Sequence, residues 1–511
     1  MDGTLPLQLP LLSPIVGLAT FAFVCYSYAQ KTPKYPPGPP RLPLIGNAHQ
    51  VPTKKNWLKF TEWAGTYGDL VHLDALGQHI FIANSEKVAN DLLEKKSSIS
   101  SDRPIVQMHH LSGFDKALPL RSYGDSFKKQ RRFLATEFSP VAIQKYHSLY
   151  DKEARLLIQL FVQSPDSVWS DLRLGLGKVI LLTTYGYQPK STNDTFLMTN
   201  LSSLENFLAF STPGKYLVDA IPFLKYAPRW LPGSGFLKVI DQSQNLLQSA
   251  LRGPFQWWKN RCQSGEHIGP NLCSSVLEKA GGQLSPPEEE NLLWAAHVAL
   301  GGGLDTNVSF LSTFFLCMVL NPDVQTKAKA EIDLITGGDR LPNIQDKASL
   351  PYIRSIMAEV LRWSPPAPTA FPHVTTRDDM YEGFSIPKGS IIFPNVWNIM
   401  HDPARYPDPT AFKPERFDGD DSKMSQVNIA FGYGRRVCPG QHIASSYLFA
   451  IVATVLATCE IAPGLNEEGQ PMIPQIDYSE SIISIQKPFG IRFVPRCPQA
   501  RDLLIETEIC L

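Results

Sequence analysis

Phe431-Gly432-Tyr433-Gly434-Arg435-Arg436-Val437-Cys438-Pro439-Gly440 is the stretch on which the reading of this chain turns. A cysteine stands among glycines, and an apolar helical pattern follows from His442 through Ile461. Glycine permits tight, positive-φ turns and the close approach of a flat ligand. The amides and dipole of a helix start favour a thiolate. Arg436, two residues before the cysteine, is placed to neutralise a carboxylate. Together these features suit a metal-bound thiolate beneath a flat, carboxylate-bearing group. A buried structural cysteine after a glycine turn would be the default without the flanking pattern.

Upstream, Ser285-Pro286-Pro287-Glu288 marks a helix start: Ser285 caps free amides, proline is tolerated in the first turn, and Glu288 completes a capping box. The apolar run continues through Leu292 to Leu320 and stops before Asn321-Pro322. Nearly thirty residues apolar on most faces predict a buried central helix, because an exposed one would show a polar stripe. A membrane span is the alternative. His297, Asp305 and Gly301-Gly302-Gly303 in its middle weigh against it, since intramembrane charge is costly.

The remainder of the 511 residues sets bounds. Lys and Arg number 48 against 48 Asp and Glu, and neither sign forms a long run, so nothing predicts a nucleic-acid partner. The eight cysteines lack paired CxxC spacing, which argues against a zinc site or a disulfide framework and fits a reducing compartment. No charge occurs between Asp2 and Lys31, and Leu9 to Ala29 is mostly apolar, about the length that crosses a bilayer. Residues 1–30 are therefore expected to form a single N-terminal transmembrane helix rather than a cleaved signal peptide. Lys31, Lys34 and Arg41 follow it, which predicts a cytosolic body by the positive-inside rule. Residues 31–47, with Tyr35-Pro36-Pro37-Gly38-Pro39-Pro40, read as a stiff proline-rich linker. Residues 48–511 then form one mainly α (α+β) domain in which short β-like pieces, Leu70 to Leu73 and His79 to Ala83, alternate with longer helices. Sequons at Asn193, Asn200 and Asn307 should be silent in a cytosolic body, and Asn307 falls inside the central helix.

The opening stretch matches F-x-x-G-x-R-x-C-x-G at Phe431, Gly434, Arg436, Cys438 and Gly440, and so resembles the signature of the cytochrome P450 family. Other landmarks of that family occur in its order. Glu359-Val360-Leu361-Arg362 resembles E-x-x-R, and Pro414-Glu415-Arg416-Phe417 resembles its partner segment; the resemblance implies a structural network of Glu359, Arg362 and Arg416. Gly302-Gly303-Leu304-Asp305-Thr306 resembles the oxygen-activation motif, with Thr306 as the hydrogen-bonding alcohol and Asp305 as the proton relay. Many relatives carry a second hydroxyl residue after that threonine, where this chain has Asn307. Tyr123 to Arg132 resembles the helix whose W-x-x-x-R pair holds a haem propionate, but the aromatic is Phe127, which leaves Arg131 to make that contact. His373 stands where relatives place Arg or His on a propionate.

The resemblance implies a cytochrome P450 fold with a long central helix and small β-sheets. It implies haem b held by Cys438 as axial thiolate, with Arg131, His373, Phe431, Gly434, Arg436 and Gly440 around it. The activity implied is monooxygenation of a lipophilic small molecule with O2, in a style similar to microsomal enzymes of fungal secondary metabolism acting on terpenoids or aromatic polyketides. No G-x-G-x-x-G opening a βαβ unit is present, so electrons from NADPH must come through a separate cytochrome P450 reductase, with a cytochrome b5 as a second donor. Lys128, Lys129 and Arg435 are candidate docking charges. The expected location is the endoplasmic reticulum membrane. Two rivals are a P450-like isomerase or dehydratase that does not use O2, and a haem-thiolate binding or sensor protein without turnover. The pocket roof is expected from Ile105 to Leu120 and Phe207 to Gly233, including Met108, Leu111, Phe114, Phe207, Leu208 and Phe210; apolar composition there favours an apolar ligand. Ile221 to Leu231 mixes bulky apolar and basic residues as an interfacial segment would.

Overall fold

A computed structural model describes residues 34–505. The expected membrane helix lies outside them. The central helix spans Pro286–Leu320, as its end signals predict. The Glu288 carboxylate accepts from the Ser285 amide at 3.0 Å and from its hydroxyl at 2.6 Å, and the expected capping box is present. From Val308 to Val319 every residue is buried. This helix and Gln441–Thr458 are long and apolar enough to cross a membrane, yet both are mostly enclosed by protein, so they are core helices.

Helices surround the central one because its apolar surface faces all ways. Val168–Tyr185 and Asp125–Phe138 pack against it, as do Gly235–Gln263, Thr195–Phe210 and Pro351–Trp363. Gln441–Thr458, buried from Ser446 to its end, packs on His147–Gln163. One large hydrophobic cluster joins these helices.

The sheets are small. The largest has the order Leu70–Ala75, Gln78–Ala83, Ile391–Pro394, His373–Val374, with the first pair antiparallel and Ile80 beside Ile391 in a parallel pairing. Both strand pieces anticipated near residues 70 and 80 are present, slightly longer than the sequence suggested. The proline-rich segment lies along this sheet. Tyr35 stacks on His72 and His79 with ring centroids 4.5 and 4.9 Å apart, and the Pro37 carbonyl accepts from the His72 amide at 3.1 Å. Two further sheets of two and three strands complete the α+β architecture.

Candidate active site

Cys438 ends a loop that its own backbone closes: its amide donates to the Phe431 carbonyl at 2.8 Å. Gly434 makes the loop possible. Its φ is +53°, and a Cβ there would lie 2.5 Å from the Leu93 carbonyl oxygen, so only glycine fits. Gly434 thus sets the loop against Leu93 rather than forming cavity wall. Gly440 precedes the helix Gln441–Thr458, and a Cβ on it would come no closer than 3.8 Å to the sulfur. The amides of Gly440 and Gln441 point at Cys438.

The sulfur is exposed, but to an internal cavity whose wall also includes Phe431, Gly432, Arg436 and Gly440. Burial pushes the Cys438 thiol up, against the pull of those two amides and of Arg131. A metal cation at the sulfur would reverse that direction. Among the described residues no three His, Cys, Asp or Glu side chains converge on a metal site.

Three guanidinium groups line the same cavity. Arg131 donates to the Val437 carbonyl at 2.6 Å. Arg436 donates to Ser101, Leu118 and Arg121 carbonyls at 2.7, 3.2 and 2.7 Å. Arg103, which the sequence reading missed, donates to Pro119, Phe371 and Pro372 carbonyls at 2.8, 2.8 and 2.6 Å. None of the three makes an ion pair among the described residues, and burial lowers the pKa of each. Buried, unneutralised positive charge beside a single sulfur suits a planar macrocycle with two carboxylates. Phe127 is the platform for two of these groups: the Arg436 guanidinium lies 3.9 Å from its ring centroid and that of Arg131 5.9 Å. His373, also in the wall, donates from Nδ1 to the Ser100 carbonyl at 2.7 Å, and burial holds its pKa well below the usual value.

Thr306 and Asp305 stand in the wall contributed by the central helix. Thr306 Oγ1 donates to the Gly302 carbonyl at 2.7 Å, a back-bond within the helix. Asp305 pairs with Arg173 at 3.1 Å; burial raises its pKa, and Arg173 opposes that rise. A Cβ on Gly302 would meet nothing within 4 Å, so the helix leaves open space one turn before Thr306. Roof residues divide. Phe114, Phe207 and Leu208 line the cavity; Met108 and Phe210 are buried in the core behind it, and Leu111 packs there part-buried.

The structural network forms as a unit. Arg362 donates to both Glu359 oxygens at 2.7 and 2.9 Å, and Arg416 Nε reaches Glu359 Oε1 at 3.2 Å. Glu359 and Arg362 are fully buried. The candidate docking charges are engaged differently: Lys129 pairs with Glu288 at 2.8 Å, Lys128 with Asp125 at 3.5 Å, and Arg435 donates to the Tyr123 hydroxyl at 3.2 Å.

Comparison with known proteins agrees with this geometry. The family model described as Cytochrome P450 matches residues 36–493. The chain is 46% identical over 482 residues to cytochrome P450 monooxygenase 105 of Postia placenta, covering 94% of this chain and 92% of that one. It is 45% identical over 474 residues to cytochrome P450 monooxygenase 226 of the same fungus, covering 92% and 90%. It is 36% identical over 497 residues to cytochrome P450 monooxygenase claR of Ampulloclitocybe clavipes, covering 96% and 91%.

Proposed function

This chain belongs to the cytochrome P450 family and is a monooxygenase of that family, and from that premise we propose that it places one oxygen atom of O2 in a lipophilic secondary metabolite, a terpenoid or an aromatic polyketide. The carrying observation is the single sulfur of Cys438 at a helix start, opening into a cavity that holds three arginines without carboxylate partners. Haem, which the family implies, supplies the oxygen-activating iron when bound; we assign haem b. Cys438 would ligate its iron, Arg103, Arg131 and Arg436 would hold its carboxylates, and His373 would join them from Nε2 in its imidazolium form, which a carboxylate beside the ring favours.

Thr306 and Asp305 serve proton delivery in this reading. The threonine hydroxyl donates to a backbone carbonyl and keeps its lone pairs for a water, and Asp305 with Arg173 connects the helix to partly exposed surface. The need for such a relay favours oxygenase chemistry over an isomerase. The apolar roof formed by Phe114, Phe207 and Leu208 excludes bulk water and selects an oily substrate.

Electrons come from NADPH through a separate reductase, with a cytochrome b5 as second donor, on the face bearing Lys128, Lys129 and Arg435. The location is the endoplasmic reticulum membrane, with the body in the cytosol. Exposed apolar side chains support contact with a bilayer: Phe223 is 78% and Trp230 81% exposed, with Leu217 and Tyr226 beside them in sequence.

Reduced protein under carbon monoxide should show the red-shifted Soret band of thiolate ligation, and Cys438→Ser should lose it. An unchanged band in that variant overturns the axial assignment. Purified enzyme and reductase, given NADPH and a panel of terpenoid and aromatic scaffolds, should yield a product with one added oxygen.

A further inference from the structure

The loop that ends at Cys438 rests on a segment that no motif marks. The helix Glu86–Ala89 runs on into a wide π turn, Asn90–Lys95. Such turns are rare inside helices and recur at functional sites. Here the turn faces the cysteine loop. The Leu93 carbonyl abuts Gly434, where an added Cβ would stand 2.5 Å from its oxygen and 2.9 Å from Ser97 Cβ. Farther along, the Ser101 carbonyl accepts from Arg436 Nε at 2.7 Å. Residues 93–101 thus cradle a loop that follows them by more than 300 positions.

One contact in this cradle is made by a side chain. Glu94 Oε2 accepts from the Gly434 amide at 2.5 Å. The carboxylate is exposed and has a lysine next to it in sequence, yet Lys95 pairs with Asp91 and Lys96 with Asp379, each at 2.7 Å. Among the described residues Glu94 makes no ion pair of its own. An exposed carboxylate on an amide is ordinarily a solvated contact of small worth. What sets this one apart is the amide it holds. Gly434 opens the turn Gly434–Arg436, the Val437 amide returns to the Gly434 carbonyl at 3.3 Å, and Cys438 comes next, bonded back to Phe431. Backbone closes the base of the loop and Arg436 anchors its arm, while the amide at its tip is tied by Glu94.

We infer that Glu94 is a positioning residue for Cys438: by holding the Gly434 amide it fixes the loop, and with it the sulfur, against residues 93–101. Glu94 itself lies outside the cavity wall, so it acts only through the loop. Released at its tip, the loop keeps its base and its arm but lets the sulfur move, and ligation by Cys438 becomes easier to lose. The assignment rests on the axial role proposed for Cys438.

The test uses the full chain loaded with haem, reduced under carbon monoxide in denaturant too dilute to unfold it, and follows the decay of the red-shifted Soret band. Glu94→Ala should show the band at the outset and lose it about three- to tenfold faster than the wild type, the worth of one hydrogen bond to a charged group at a solvated site. Glu94→Gln, whose amide oxygen can still accept from Gly434, should decay within about twofold of the wild type. The Tm of both variants should stay within about 2 °C of the wild type, since one exposed contact is at stake in a large domain. Decay of Glu94→Ala at the wild-type rate overturns the inference. Equally fast decay of the alanine and glutamine variants also overturns it, because the charge of this face would then be the cause. A Tm lower by more than about 4 °C in Glu94→Ala would do the same, by making the residue a general support of the fold. A wild type without the shifted band would overturn the axial reading and this inference together, whereas the three results above leave the axial reading standing.

Discussion

The Thr306 hydroxyl is held by the Gly302 carbonyl, so removing it disturbs neither the cavity floor nor the sulfur. Thr306→Ala should keep the carbon monoxide spectrum while the ratio of product to NADPH falls by about tenfold or more, the scale of a lost proton-delivering group. A ratio equal to the wild type would place the relay elsewhere. Arg103 gives a contrasting case. Arg103→Ala strips one cavity guanidinium and frees three carbonyls, so haem should be held more weakly by about 1.5–3 kcal/mol. The rate of haem transfer to a scavenging apoprotein would measure this. Cys438, Arg436 and Phe431 could be picked out in the sequence because they lie within ten residues of one another, and the structure brings all three to one cavity. Arg103 is not. It reaches the cavity only because Ser101 and Leu118 lie against Arg436, more than 300 residues away, and Arg103-Pro104 carries no local mark.

Elements whose ends are chemically marked were readable to the residue. The central helix is one, because the Ser285–Glu288 cap and Asn321-Pro322 are local signals. The helix Gly235–Gln263 has no such legibility: it carries Pro254 in its interior, where the pattern alone would break it, and packing overrides the propensity. The join between Pro351–Trp363 and the segment Pro414–Arg416 shows what a buried charge asks of neighbouring elements. Arg416 donates to the Asp408 and Ala411 carbonyls at 2.5 and 3.2 Å as well as to Glu359. Arg416→Leu should destabilise the fold by about 3–5 kcal/mol and give little haem-loaded protein, because Glu359 is left with one of its two cations. Arg416→Lys should recover only part, since an ammonium lacks the planar fork. Denaturant unfolding of the purified variants would register both.

At the scale of the whole molecule, the roof helix Thr195–Phe210 is followed, after the short helix Leu217–Ala220, by the exposed apolar segment containing Phe223 and Trp230, so the cavity roof and the proposed bilayer face are close in sequence. With residues 1–30 removed, Phe223→Asp together with Trp230→Asp should release the protein from vesicles and raise the KM for oily substrates. Full solubility before the substitutions, with no change in either quantity after them, would refute membrane-side entry. The same truncation bears on a different property of the chain. Leu70–Ala75 is the outer strand of its sheet, and the segment from Pro37 to Asn47 runs along its free side: Pro37 bonds to His72, Asn47 to the Asp74 carbonyl, and Gly46 bridges to Ala75. A cut at residue 30 leaves this cover in place. A cut at residue 48, convenient as it looks from the sequence, would bare a row of unpaired amides and carbonyls on a strand that then templates pairing with another chain. Its failure would be seen as aggregation on a sizing column, in a protein whose cavity lining is untouched.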